Sequence, residues 1–189
     1  MIIILIGPPG AGKGTQAQKI AQSLNLPHIA TGDIFREHLQ KNTELGRKIR
    51  EYYEKGELVP DELVIEVVKN RIAMPDCEKG FILDGFPRTI PQAEALDKIL
   101  AEKGRKVDIV IEIDIPEEEA TKRLLSRGRL DDKLCTIKRR FVEYHIKTQP
   151  IIDYYKKQGK LVKVDGVGSI EEVFNRIMSI INERISESE

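Results

Sequence analysis

Short apolar runs alternate with longer amphipathic stretches along this chain. The runs are Ile2–Ile6, His28–Ala30, Phe81–Leu83, Ile109–Ile115 and Leu161–Val164. Two of them are almost continuously hydrophobic, as strands are when both of their faces are covered. Helical patterns fall between the runs, over Thr15–Ser23, Asp61–Met74, Pro91–Lys103, Glu117–Arg127 and Thr136–Gln158. A last helix over Ile170–Arg184 puts Val173, Ile177, Ile180 and Ile181 on one face, a stripe that reads as core. Strand then helix, five times over, predicts an α/β fold with a parallel sheet wrapped by helices and right-handed crossovers.

Two segments break the rhythm. About fifty residues separate the second and third runs, where a simple crossover needs roughly a dozen. Their first part, Thr31–Val59, reads as a small helical excursion that ends at Gly56 and Pro60. The second break is Ser126–Thr136, which carries two arginines, a glycine and two aspartates between helices. There is no internal repeat, low-complexity tract or long linker, and Ser186–Glu189 reads as a frayed polar tail.

Composition narrows the class. At 189 residues the chain is expected to be one domain. A chain of that size buries roughly 70% of its unfolded surface, enough for a core without disulfides or a structural metal. Thirty-one Lys and Arg balance thirty-one Asp and Glu. Bulk charge would therefore hold the protein to neither nucleic acid nor a membrane. Cys77 and Cys135 cannot build a disulfide framework or a four-thiolate zinc site. Ile2–Ile6 is too short for a leader, and no 18-residue apolar run offers a membrane span. The expectation is a soluble, cytoplasmic protein.

The strongest chemical signal is GPPGAGKGT, Gly7 to Thr15, directly after a strand and opening a helix. Gly7, Gly12 and Lys13 fit the G-x-x-x-x-G-K core of a P-loop. Glycines let backbone N–H groups converge on phosphate oxygens, and the helix N-terminus adds its positive dipole end. Lys13 supplies a point charge for terminal phosphates. One departure stands out: Gly14 follows Lys13, and the hydroxyl comes one residue later, at Thr15. The usual hydroxyl ligand of magnesium is thus out of place. Gly10, Gly12 and Gly14 do not form G-x-G-x-x-G, which argues against a dinucleotide fold. Asp84 ends the third apolar run, where a carboxylate beside a P-loop would hold magnesium through water.

Five stretches, in order, now carry a resemblance: GPPGAGKGT at 7–15, TGDIFR at 31–36, DGFPRT at 84–89 with Gln92, RGRLDD at 127–132, and the arginines at 139 and 140. The chain resembles the nucleoside monophosphate kinases, and among them the adenylate kinase family in its short-lid form. The resemblance implies a P-loop nucleoside triphosphate hydrolase-like fold with a five-stranded parallel sheet. The core would comprise residues 1–29, 60–126 and 137–189, with an AMP-binding region at 30–59 and a short lid at 127–136. It implies reversible, magnesium-dependent transfer of the γ-phosphoryl group of ATP to AMP, giving two ADP and serving adenine nucleotide homeostasis. A monomer is expected, with no nucleic-acid or membrane partner.

The same resemblance assigns residues. ATP would meet Gly10, Ala11, Gly12, Lys13, Gly14 and Thr15, then Arg127, with Arg123 stacking on adenine and the Gly168 backbone receiving its edge. AMP would meet Thr31 and Gln92 at its base, in a pocket shaped by Gly32, Leu58, Val59 and Gly85. Arg36 and Arg88 would clamp its phosphate with planar bidentate forks. Arg129 and Arg140 would reach across the transferring group, completing a catalytic set with Lys13, Arg88 and Arg127. Arg139 reads as a solvated neighbour. Gly128 would be the lid pivot, and Asp131 and Asp132 would pair with arginines.

So many cations suit the chemistry. The nucleophile is a phosphate already ionised at neutral pH, so no base need remove a proton first. What remains is to offset repulsion between two anions, to stabilise charge on the moving group, and to keep water out. Longer members of the family carry a lid insertion, often with cysteines that hold zinc; here Cys135 stands alone and no zinc is expected. Cys77, Cys135, His28, His38 and His145 show no ligand spacing and read as structural.

Other readings account for less. A UMP/CMP kinase would carry alanine where Thr31 stands and asparagine near the Arg88 segment. A GTP-hydrolysing switch would carry N-K-x-D, which is missing. A pure nucleotide-binding module leaves Arg36, Arg88 and Arg129 without a use.

Overall fold

The computed structural model describes residues 1–55, 59–128 and 133–189, apart from the side chains of Tyr53 and Lys55. β1 (Ile2–Ile6) leads through α1 (Lys13–Leu24) to β2 (His28–Ala30) and then to α2 (Thr31–Gln40) and α3 (Glu44–Lys55). α4 (Asp61–Ile72) and a 3₁₀ turn at Pro75–Cys77 return the chain to β3 (Phe81–Asp84). α5 (Ile90–Ala101), β4 (Ile109–Asp114), α6 (Glu117–Arg127), α7 (Leu134–Lys157), β5 (Leu161–Asp165) and α8 (Ile170–Ser188) complete the order.

The strands form one parallel sheet in the order β2-β3-β1-β4-β5. Strand alternation then divides the core in two. Ile2, Ile4 and Ile6 of β1 join Phe81 and Leu83 of β3 under α4, α5 and the second half of α7. Ile3 and Leu5 point the other way, with Ile109, Ile111 and Ile113 of β4, under α1, α6 and α8. A strand covered on both sides needs apolar residues at every position, hence the unbroken run in β1. The expected stripe is core: Val173, Ile177 and Ile181 are buried and Ile180 packs against them. α7 serves both clusters, Ile137 and Phe141 on one side and Ile151 and Tyr155 on the other.

Two expectations change. The tail read as frayed is helical to Ser188, because Ile185, just before it, still packs against the core. An apolar strip that the periodicity did not isolate also stands exposed on α7, at Val142 and, one turn on, Ile146. No helix among the described residues is long and apolar enough to cross a membrane.

β1 and β3 lie side by side, yet the chain leaves β1 toward β2 and leaves β3 toward β4. Connections diverging from neighbouring strands open a crevice at their carboxyl ends, the usual ligand position in an open α/β sheet. The phosphate-loop sequence follows β1 and the DGFPRT sequence follows β3.

Candidate active site

The loop after β1 is built by close backbone approach. Gly10 has φ +81°, and a Cβ there would meet the Ala120 carbonyl at 2.8 Å, so the loop lies tight against α6. Gly12 caps α1 in the left-handed conformation, and no side chain caps that helix end. The N–H groups of the first turn are thereby turned toward the crevice, as anion binding requires. Thr15 is exposed and lines the cavity beside Lys13 and Gly14.

Asp84 closes β3 at 8% exposure. Lys13 Nζ donates to one of its oxygens, and His28 Nε2 lies 3.1 Å from the other. Burial pushes the Asp84 carboxyl up, but the His28 hydrogen bond and the charge of Lys13 outweigh it and hold the group at about 2. Asp84 is therefore an ionised carboxylate beside the phosphate loop. His28, which spacing marked as structural, belongs to this site. Strand register brings it there, since Ala30 of β2 pairs with Asp84 across the parallel ladder.

The turn after β3 is tied from both sides. Arg88 Nε and Thr31 Oγ1 both donate to the Gly85 carbonyl, at 2.8 and 3.4 Å. The Arg88 N–H donates to Gln92 Oε1 at 2.8 Å, and Gln92 Nε2 donates to Asp61 Oδ1 at 2.9 Å. Thr89 caps α5 and donates to the same Asp61 oxygen at 3.1 Å. Asp61 thus orients Gln92, a role the sequence did not reveal, because a carboxylate in a helix's first turn is ordinary. Gly32 lies against the Arg36 guanidinium, which pairs with Asp33 on the exposed side of α2. Val59 packs against the core beneath. Leu58 and Arg129, with Asp131 and Asp132, lie outside the described residues.

A cavity of about 1120 Å³ runs from the phosphate loop to Gly85 and Arg88 on one side and to Arg123 and Gly168 on the other. Among its described lining residues, Lys13, Arg88, Arg123, Arg127, Arg140 and Lys147 face one acid, Glu143. In a chain of zero formal charge this asymmetry marks a site for a polyanion. Arg123 Nη2 donates to the carbonyls of Gly166 and Gly168 at 2.8 and 3.4 Å. Gln16, 3% exposed, donates to the Ile170 carbonyl at 3.0 Å and was not foreseen. Arg139 is exposed and pairs with Glu143 along α7. Thr31, Gly32, Arg36, Val59 and Gln92 do not line this cavity. Thr31 and Gln92 are joined to its rim, Thr31 through the Gly85 carbonyl and Gln92 through the Arg88 N–H.

A glycine loop feeding a helix N-terminus, an ionised carboxylate beside it and a cation-lined cavity define a P-loop phosphotransferase. Comparison with known proteins narrows that class. The family model for adenylate kinase matches residues 5–160. The adenylate kinase of Archaeoglobus fulgidus is 47% identical over 212 aligned positions, covering 96% of this chain and 98% of that protein. Those of Thermobifida fusca and Carboxydothermus hydrogenoformans are each 48% identical, covering 97% and 96% of this chain and 100% and 99% of the relatives. The chain belongs to the adenylate kinase family. The Thermobifida alignment spans 188 positions, whereas the other two exceed the length of this chain, so those relatives carry residues without a counterpart here.

Proposed function

We propose that this protein transfers the γ-phosphoryl group of magnesium-bound ATP to AMP, reversibly, giving two ADP. One observation carries the reading: a cation-lined cavity with the phosphate loop at its centre, Arg88 at one end and Arg123 with Gly168 at the other. Two phosphorylated substrates, one entering from each end, would meet over Lys13.

ATP would lay its phosphates on the N–H groups of Gly10 to Thr15, with Lys13 and Arg127 on the terminal groups. Its base would lie at Arg123 and Gly168. AMP would occupy the other end, its phosphate held by Arg36 and Arg88 and its base by Thr31 and Gln92, with Gly32, Leu58, Val59 and Gly85 around them. Arg129 and Arg140 would complete the charge around the transferring group. An entering phosphate competes with Asp84 for Lys13, so the lysine exchanges one anionic partner for another and is never stranded.

Magnesium arrives with ATP as part of the substrate. The donors present fit it: Asp84 is ionised and beside Lys13. No three His, Cys, Asp or Glu side chains cluster as metal ligands among the described residues. Magnesium takes few protein ligands and keeps waters and phosphate oxygens. Asp84 would hold it through water, and the ion supplies charge neutralisation on the phosphates.

Residues 30–59 and 127–136 would close over the two substrates and exclude water, as transfer without hydrolysis requires. Gly128, the left-handed cap of α6 at φ +67°, supplies a pivot. Acceptor specificity tests the reading. Magnesium and ATP are incubated with AMP, CMP, UMP or GMP, and the nucleotides are resolved by ion exchange. ADP formed quickly with AMP alone, reversibly and without free phosphate, is the expected result. CDP or UDP would overturn the roles of Thr31 and Gln92, and free phosphate alone would overturn transfer itself.

A further inference from the structure

The turn between β5 and α8 carries the Gly168 backbone, and side chains from three helices hold its carbonyls. Arg176 Nη1 donates to Asp165 and Val167, at 2.9 and 2.5 Å. Arg123 Nη2 takes Gly166 and Gly168, and Gln16 takes Ile170. The N–H groups are engaged too: Gly166 with the Asp114 carbonyl at 2.7 Å, Val167 with Asp165 Oδ1 at 2.9 Å, and Ser169 with Glu172 Oε2 at 3.3 Å. Gly166 is buried against Ile113 and Ile115, whereas Val167 and Gly168 are exposed and are held by hydrogen bonds.

Gly168 sits at φ +128°, and a Cβ there would come within 2.4 Å of Glu172 Oε2. Such a backbone is held in a conformation few residues adopt, and Gly168 lines the cavity, where its carbonyl and N–H would read the base. That pair can distinguish purines. Adenine offers an amino donor beside a ring-nitrogen acceptor, and guanine offers a carbonyl acceptor beside a ring N–H. The match depends on position, because hydrogen bonds weaken steeply with distance and angle.

We propose that Arg176 is a positioning residue for the phosphoryl donor: by bracing the carbonyls of Asp165 and Val167 it fixes the Gly168 backbone where the base of ATP is read. Arg176 does not line the cavity, unlike Arg123, and its guanidinium donates to the carbonyls of the turn. Its guanidinium is backed by Glu172 at 4.0 Å, one helical turn earlier. One guanidinium nitrogen carries two N–H bonds and can serve both carbonyls. The inference rests on the reading of Gly168 as the seat of the ATP base.

Initial rates of the intact Arg176→Ala protein, measured with magnesium and either ATP or GTP as donor and AMP as acceptor, test it. KM for ATP is expected to rise about five- to tenfold, with kcat and KM for AMP within about twofold. The preference for ATP over GTP in kcat/KM should fall by a comparable factor. Arg176→Lys, which keeps a cation on a flexible stem, should recover part of the loss. Arg176→Gln repeats the measurement if the alanine variant does not fold. Unchanged KM for ATP and unchanged donor preference in folded variants would overturn the inference, as would an equal loss in kcat and both KM values. Arg123→Ala separates the two levels. If it too leaves KM for ATP unmoved, the base lies elsewhere and the site reading falls as well; if it alone raises KM, only the brace is wrong.

Discussion

His28 Nε2 lies 3.1 Å from Asp84 Oδ2, opposite the oxygen that accepts from Lys13. A carboxylate at 8% exposure would be costly to ionise without partners. Held on both oxygens, it stays charged, points toward the phosphate loop, and keeps Lys13 there until an anion takes its place.

Lys13→Ala removes the charge that meets the terminal phosphates. Turnover should fall at least about a hundredfold, since an electrostatic contact made in the transition state is lost. The far-UV circular dichroism spectrum should stay native, because Lys13 contributes no apolar packing to either core cluster. A variant that turns over at the normal rate would remove Lys13 from the mechanism.

Asp61→Ala leaves the Gln92 amide without the acceptor that orients it. KM for AMP should rise about three- to tenfold while KM for ATP stays put, because a positioning contact for one substrate is lost. Steady-state kinetics with each substrate varied in turn gives the answer. A parallel rise in both constants would mean that Asp61 supports the fold generally rather than the AMP end.

The two thiols should differ sharply. Cys77 is buried beside Arg71 and Asp76, and burial pushes its thiol up to about 11, so it is protonated and shielded at neutral pH. Cys135 is exposed. Because the thiolate is the reactive form, a disulfide reagent at pH 8 should modify one thiol in the native protein and two after unfolding in guanidinium. Two fast equivalents in the native state would show that the pocket around Cys77 opens readily.

Ile177→Ala empties a fully buried position between α8 and the sheet. The expected loss is about 3 kcal/mol, read as a fall in Tm of roughly 5–12 °C, with activity at low temperature retained. Little change in Tm would mean that α8 is bound loosely and that its stripe is not core.

The sequence by itself determined the five strands, most helix spans and the phosphate loop. Those features are local: periodicity follows from whether one face or both are covered, and the glycines mark where backbone must approach an anion. Tertiary structure decided which distant residues meet. His28 reaches Asp84 only because β2 pairs with β3 in a register that sets Ala30 beside Asp84. Asp61 reaches Gln92 because α4 packs on α5 over the sheet, with Val67 and Leu96 in one core cluster. Gln16 and Arg176 meet the Asp165–Ile170 turn because α1 and α8 lie over the same face. A histidine on an edge strand, an aspartate opening a helix or an arginine on an outer turn has no periodic signature. Their roles arise from hydrogen bonds between segments far apart in the chain, and only packing of the two core layers sets those distances.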